Sequence, residues 1–134
     1  MVQLLVNVDV DDLEKAIEFY GSALGLTFKR RLFNDTVAEM VGASSPIYLL
    51  KKPAGSTASV TLTTQRDYGR HWTPVHLDFT VDDLGQAVQR AQAAGAIIES
   101  DLQTYNWGRM AFMADPFGHG FCLLEFRDGG YEVG

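Results

Sequence analysis

Alternating apolar and polar residues predict a first strand over residues 2–10, with Leu4, Val6, Val8 and Val10 on its core face. Leu5 lies on the opposite face of that strand. A helical pattern follows at once and ends before Gly25, a residue suited to the left-handed stop of a helix. Its apolar stripe consists of Leu13, Ala16, Ile17, Tyr20 and Leu24. The chain therefore begins with a strand and an amphipathic helix.

Local signals define the ends of these first elements and the strands that follow. Asp11 is predicted to be the N-cap, and Glu14 three residues later completes a capping-box pattern worth about 1 kcal/mol. Three strands are predicted next, at residues 26–33, 36–41 and 47–50, with a turn at Asn34 and Asp35. The first half thus has the order β-α-β-β-β.

The same pattern returns about half a chain later. Residues 8–16, Val-Asp-Val-Asp-Asp-Leu-Glu-Lys-Ala, resemble residues 79–87, Phe-Thr-Val-Asp-Asp-Leu-Gly-Gln-Ala. A strand at residues 75–81, a helix ended by Gly95, and strands at residues 97–102, 109–114 and 121–126 are predicted. The second helix is predicted to be one residue shorter than the first. The sequence Asp-Pro-Phe-Gly at residues 115–118 is a strong turn signal, and a loose tail is expected from Asp128.

The repeat divides the chain into module 1 (about residues 1–52), a crossover (residues 53–74) and module 2 (about residues 75–128). Residues 60–64 of the crossover are a candidate edge strand. A repeat of this length cannot bury its apolar face alone, so the modules should pack together and leave a cavity for a ligand. Pairing within one chain and pairing swapped between two chains both satisfy the pattern.

Composition narrows the class of protein. The 134 residues suit one domain, 46% of them are hydrophobic, and no apolar run approaches the length of a membrane span. A net charge of −6 argues against a nucleic-acid partner. The N-terminus lacks a secretory pattern, and a single cysteine, Cys122, excludes an internal disulfide framework. A cytoplasmic location with no membrane association is therefore expected.

Three groups of residues carry a family resemblance. They are Val10-Asp11-Asp12-Leu13 with Phe19-Tyr20 and Leu24-Gly25-Leu26; His76-Leu77-Asp78-Phe79 with Val81-Asp82-Asp83-Leu84 and Ala94-Gly95-Ala96; and Asp115-Pro116-Phe117-Gly118-His119. In order and spacing they resemble the vicinal oxygen chelate superfamily, which includes glyoxalase I, extradiol dioxygenases, fosfomycin-resistance thiol transferases and bleomycin-resistance proteins. The resemblance implies an α+β fold, the glyoxalase/bleomycin resistance fold, in which two βαβββ modules form a cup-shaped mixed sheet with helices outside.

The resemblance also implies four metal-ligand positions, one on the first and one on the last strand of each module. In this sequence they correspond to Leu5, Tyr48, His76 and Cys122. Leucine cannot coordinate a metal, and cysteine must lose its proton to do so. No cofactor is therefore predicted, and a divalent metal, if one binds, would depend on His76.

Glu125 is a further candidate ligand on the last strand. Side chains alternate between the two faces of a strand. Glu125, three residues after Cys122, should therefore project to the opposite face, unless a bulge near Gly120 reverses it.

Large side chains cluster in two irregular stretches, Tyr68, His71 and Trp72 in the crossover and Tyr105, Trp107 and Arg109 before the penultimate strand. Aromatic walls with a few polar groups suit a flat small molecule, and Arg109 could pair with a carboxylate or stack on a ring. Alternatively, these rings only close the open edges of the sheets. The expected ligand-binding residues are Leu5, Tyr48, Trp72, His76, Tyr105, Trp107, Arg109 and Cys122. His71 and His119 are interpreted as rim residues.

Three functions remain open at this point. The leading hypothesis is a metal-independent protein that binds or sequesters an aromatic or drug-like small molecule, as a homodimer like related family members. The alternative is a metal-dependent lyase, dioxygenase or thiol transferase of the same superfamily, for which His76 would need additional ligands. A structural or protein-interaction module has less support.

Overall fold

The computed structural model describes residues 1–133, and the chain divides into two compact units, Met1–Tyr68 and Gly69–Gly134. The boundary between Tyr68 and Gly69 falls within the predicted crossover, residues 53–74. No helix in the described part of the chain is long and apolar enough to cross a membrane.

The first unit contains one helix and one four-stranded sheet. Its elements are β1 (Val6–Val10), α1 (Leu13–Leu24), β2 (Thr27–Leu32), β3 (Val37–Val41) and β4 (Ile47–Lys51). The strand order is β1-β4-β3-β2, in which β1 and β4 are parallel and the other pairs are antiparallel. The predicted β-α-β-β-β order of the first half is confirmed.

The second unit repeats this arrangement with one additional strand. Its elements are β5 (Leu77–Thr80), α2 (Leu84–Ala94), β6 (Ile97–Ile98), β7 (Gln103–Tyr105), β8 (Gly108–Ala114), β9 (Gly120–Phe126) and a short 3₁₀ helix (Gly130–Val133). The strand order is β5-β9-β8-β6, and β7 also pairs with β8. Only β5 and β9 are parallel. Two mixed sheets and two helices confirm the α+β prediction.

Aspartates cap both helices, although the first cap differs from the prediction by one residue. The Asp12 carboxylate, not that of Asp11, accepts a hydrogen bond from the Lys15 amide at 3.1 Å because Asp12 has the extended backbone of an N-cap. Asp83 caps α2 in the same way. Left-handed Gly25 and Gly95 end the helices, as predicted.

Each sheet buries one face against its own helix. In the first unit these core residues are Val10, Leu13, Ala16, Phe19, Tyr20, Ala23, Ala38, Met40, Ile47 and Leu49. In the second unit they are Leu84, Val88, Ala91, Ala111, Met113, Phe121 and Leu123. We call the opposite side of each sheet, which faces away from its helix, the distal face.

The structure corrects several predicted strands and the tail. β1 begins at Val6 rather than residue 2, because its partner β4 begins at Ile47. Residues 60–64 form no strand, since Thr57 and Gln65 make an isolated bridge that leaves the residues between them in a loop. The strand predicted at residues 97–102 is confined to β6, and β7 was not predicted. The tail contains a short helix instead of a loose segment.

Candidate functional site

The register of the second sheet assembles a distal face with a polar edge and an apolar centre. Parallel pairing of β5 with β9 places Asp78 beside Cys122, and antiparallel pairing of β9 with β8 places Phe112 on the other side of Cys122. Met110 pairs with Leu124 in the same way. Paired residues project to the same side of a sheet, so these side chains share one surface.

This face is open only in part, because Cys122 and Leu124 on its central strand are buried while the aromatic residues beside them are exposed. The Phe112 side chain is 40% exposed, and Phe126 and Tyr105 at the far end of the face are each 42% exposed. Phe126 pairs with Gly108, which in turn pairs with Tyr105 across β7. Side chains of this size seldom remain so exposed together on a sheet unless something covers them.

The polar edge of the face consists of His76, Asp78 and Cys122. The His76 Nε2 atom lies 3.2 Å from the Asp78 Oδ1 atom, and one donor atom from each of the three residues lies within 4.8 Å of the others. Burial raises the pKa of the Cys122 thiol to about 12, and the adjacent Asp78 carboxylate contributes to the increase. Cys122 therefore keeps its proton at neutral pH and shares the Asp78 carboxylate with His76.

The residues at the four positions that correspond to the family's metal ligands do not fit such a metal. Leu5 precedes β1, is 59% exposed and has no donor atom in its side chain. Tyr48 is a phenol on β4, beside Asn7. His76 is an ordinary metal ligand, but Cys122 is a buried, protonated thiol, and coordination requires the thiolate. Only one of the four positions offers a donor that is ready to coordinate.

The distal face of the first sheet is occupied by ion pairs instead. Glu39, which pairs with Tyr48 in the sheet, is 4% exposed and accepts a hydrogen bond from the Arg30 Nε atom at 2.7 Å. The Arg30 guanidinium holds the pKa of Glu39 below its usual range. Asp9 on β1 pairs with Arg66, whose Nε atom is 2.7 Å from the Asp9 Oδ2 atom. These charges neutralise one another within the first unit.

Glu125 lies on the helix side of the second sheet, as its strand parity predicts. The register between β8 and β9 continues without a shift from Gly108 to Ala114, so no bulge near Gly120 reverses the side chain. The Glu125 carboxylate accepts hydrogen bonds from the Arg109 Nη2 atom at 2.7 Å and from the Leu84 amide at 3.4 Å. Arg109 foremost keeps the pKa of Glu125 low. Glu125 therefore does not join Cys122.

The same register separates Arg109 from the aromatic residues with which the sequence groups it. Arg109 pairs with Glu125 on β9, so both project to the helix side of the sheet rather than to the face of Cys122. Its Nε and Nη2 atoms both donate to one oxygen of Glu125. The structure therefore gives Arg109 an internal partner and places it outside the distal face.

Tyr105 and Trp107 belong to a four-ring cluster at one end of the distal face. Their rings stack with centroids 5.1 Å apart and an interplanar angle of 6°. The Trp107 ring also meets the rings of Phe126 and Tyr131 edge-on, at centroid distances of 6.1 and 5.2 Å. Phe126 and Tyr131 were not predicted. The strand parity that Phe126 shares with Cys122 is the signal that could have identified it. Trp72, 80% exposed, lies in the segment before β5.

A close approach of two strands shapes the hairpin beneath this cluster. Gly108 has a φ of 149°, and a side chain there would collide with the backbone carbonyl of Glu125. Glycine therefore lets β8 begin against the end of β9, directly after Trp107.

Comparison with known proteins adds two kinds of similarity. A family model described as a glyoxalase-like domain matches residues 5–124. The chain is 27% identical over 125 residues to the anthracycline biosynthesis protein DnrV of Streptomyces peucetius, and 30% identical over 124 residues to DauV of Streptomyces sp. strain C5, which has the same description. Both matches cover 92% of this chain but only 41% of the relative, so the chain spans less than half of either protein.

Solved structures have the same fold at low sequence identity. TnmS3 from Streptomyces sp. CB03234, described as an antibiotic binding protein, has a TM-score of 0.65 and 23% identity over 95% of this chain and 97% of its own. The fosfomycin resistance protein FosX from Listeria monocytogenes has a TM-score of 0.71 and 16% identity over 95% of this chain and 94% of its own.

Proposed function

This chain belongs to the glyoxalase-like family of the vicinal oxygen chelate superfamily, and we propose that it binds a flat aromatic or drug-like small molecule without using a metal. The observation that carries the proposal is the distal face of the second sheet, where exposed aromatic rings lie beside a single polar group of side chains. Such a surface combines apolar contact area with a few orienting hydrogen bonds, as small-molecule sites commonly do.

The aromatic and the polar residues of this face make different contributions to ligand binding. Phe112, Tyr105 and Phe126 supply ring surfaces on which a planar molecule can stack. Covering about 100 Å² of apolar surface contributes roughly 2.5 kcal/mol. The exposed His76 imidazole, held beside Asp78, offers a hydrogen bond that orients the ligand. The face therefore needs no metal for affinity.

Relatives support the drug-like class of ligand. TnmS3 is described as an antibiotic binding protein, and DnrV and DauV are described as anthracycline biosynthesis proteins. Anthracyclines contain a planar fused-ring system of the kind that aromatic side chains stack on. We therefore expect a polycyclic aromatic compound to be a better ligand than a small aliphatic one.

The proposal also includes a homodimer in the cytoplasm. The family resemblance supports dimerisation, since related binding proteins use both subunits. The free thiol of Cys122 suits a reducing compartment. Light scattering of the purified protein should give twice the chain mass, and a mass of one chain would contradict this part of the proposal.

A metal-dependent enzyme is the second candidate, because His76, Asp78 and Cys122 bring three possible donor atoms within 4.8 Å. Such an enzyme would need Cys122 to give up a proton that burial and Asp78 hold in place. A lyase, dioxygenase or thiol transferase would then lose both its metal and its activity in His76→Ala.

A thermal-shift screen in the presence of a chelator tests the leading proposal. Planar polycyclic compounds, an anthracycline among them, should raise the unfolding temperature, because a ligand that binds only the folded state stabilises it. Phe112→Ala should reduce the shift. Phe28→Ala is the matched control, since Phe28 is 42% exposed but lies on the first sheet. No shift with any compound, or equal losses in the two variants, would contradict the proposal.

A further inference from the structure

A short segment at the start of the second unit is fastened to the turn between β8 and β9. The His71 amide donates to the Gly118 carbonyl at 3.2 Å. The Arg70 guanidinium forms two hydrogen bonds with Glu99, at 2.6 and 2.9 Å, and another with the Gly118 carbonyl at 3.3 Å. A side chain at position 120 would lie 2.6 Å from Arg70, so Gly120 leaves room for this docking. We call residues 69–71 the docked segment.

Two histidine rings complete the attachment. The His71 Nε2 atom lies 2.8 Å from the His119 Nδ1 atom, and the rings meet edge-on at 4.7 Å. The other nitrogen of His71, Nδ1, lies 2.9 Å from the Gly69 carbonyl oxygen. A carbonyl only accepts hydrogen bonds, so His71 Nδ1 carries a hydrogen. In the neutral ring Nε2 is then an acceptor, and His119 Nδ1 must be the donor.

Counting hydrogens shows how many protons the pair can hold. With both rings neutral, one hydrogen lies between His71 and His119. One added proton leaves that number unchanged, because the charged ring donates and the neutral ring accepts. A second added proton places a hydrogen on both facing nitrogens, and a separation of 2.8 Å cannot accommodate them. The doubly protonated pair must therefore separate.

Charged side chains hold the backbone on either side of the pair. The buried Asp115 carboxylate accepts hydrogen bonds from the His119 and Phe117 backbone amides at 2.9 and 2.8 Å, and so holds the turn that carries His119. Arg70 places a positive charge beside His71, and Glu99 largely balances it. Once both rings are protonated, the two positive charges repel each other across the 2.8 Å between the facing nitrogens.

We propose that His71 and His119 form a pH-dependent latch, which tightens the attachment of the docked segment to the β8–β9 turn at neutral pH and loosens it when both rings are protonated. Histidine ordinarily changes charge between pH 5 and 8, so the loosening is sought on acidification across that range. Loosening breaks the His71–His119 bond and weakens the neighbouring hydrogen bond from the His71 amide to Gly118.

Hydrogen exchange of the His71 amide measures the latch directly. Its protection, corrected for the intrinsic exchange rate, should fall about tenfold between about pH 8 and pH 5, the change expected for one lost hydrogen bond. His119→Gln retains a side-chain amide that can donate to His71 but cannot take the second proton, so its protection should not change with pH.

A second measurement keeps the test independent of variants. Long-range ¹H–¹⁵N spectra at about pH 8 should show both His71 and His119 protonated at Nδ1. A hydrogen on Nε2 of His119 would overturn the proposal, as would pH-independent protection of the His71 amide. An equal loss of protection in His119→Gln would also overturn it. The Leu123 amide in the sheet should remain protected at both pH values and reports global unfolding.

Discussion

The two sheets have the same strand order but differ in what their distal faces carry. On the first sheet, buried Glu39 is held by Arg30, and Asp9 is held by Arg66. On the second sheet, exposed aromatic rings lie beside the His76–Asp78 pair. The helix sides and the caps of the two copies remain alike. The two copies therefore share the packing that folds the chain, while their distal faces differ: one carries paired charges and the other carries exposed aromatic rings.

Truncating the equivalent core residue of each helix should produce the largest loss of stability. It tests whether the two copies of the repeat pack in the same way. Leu13 and Leu84 are the first residues of α1 and α2, and their side chains are 4% and 0% exposed. Leu13→Ala and Leu84→Ala should each lower the free energy of unfolding by about 3 kcal/mol, because each leaves a cavity. Urea denaturation measures both losses. A loss near zero at one position would show that the helices are not equivalent.

Truncating a ring on the second distal face should produce the next largest effect. Phe112→Ala should weaken binding of a planar ligand by about tenfold, since stacking and burial of one ring contribute about 1–2 kcal/mol. Calorimetric titration measures the affinity. Phe28→Ala, the control of nearly equal exposure on the first sheet, should leave the affinity unchanged, and equal weakening would show that the effect is not specific to the second distal face.

Removing the capping aspartates should produce a smaller loss of stability, similar for the two helices. Asp12→Ala and Asp83→Ala should each cost about 1 kcal/mol, because each removes the side chain that accepts the Lys15 or Gln86 amide hydrogen. Asp11→Ala is the matched control and should cost much less. Thermal unfolding followed by circular dichroism compares the variants. If Asp11→Ala cost more than Asp12→Ala, the helix would begin one residue earlier than the structure shows.

The paired carboxylates should give the smallest effect, visible as a dependence on pH. Arginine neighbours hold the pKa values of Glu39 and Glu125 below their usual range. Their contribution to stability is complete above the unfolded pKa of about 4.3 and is lost as the pH falls through the lower folded values. Glu39→Gln and Glu125→Gln should therefore flatten the acid limb of the stability profile. Glu18→Gln, on the exposed side of α1, should not flatten it.

Sequence patterns predicted most of the fold because helices and strands follow preferences of residues that are close together in the chain. Strand alternation and helical stripes located both helices and most strands, and the repeat confirmed each half against the other. The predictions failed where the length or existence of a strand depends on the strand that pairs with it. β1 is short because β4 is short, and residues 60–64 have strand-like composition but no neighbouring strand. The cap moved by one residue because either aspartate fits the capping preference, and only backbone geometry distinguishes them.

The alternation of side chains along each strand predicted only part of the candidate site. Parity placed Cys122 and Glu125 on opposite faces, which the structure confirms. It did not separate Arg109 from Tyr105 and Trp107, because these residues are two apart in sequence; only the pairing of Arg109 with Glu125 across β8 and β9 places Arg109 on the helix side. Asp78 shares the parity of His76, yet its contact with Cys122 depends on the parallel register of β5 and β9, which the sequence does not specify.

Binding measured with and without metal tests the central claim most directly. Calorimetry should be carried out with a planar aromatic ligand on protein treated with a chelator and on the same protein after addition of Zn²⁺, with His76→Ala as the companion variant. The same affinity, within about twofold, is expected in both preparations. Binding that is lost on chelation and restored by one metal ion per chain, and that disappears in His76→Ala, would contradict it.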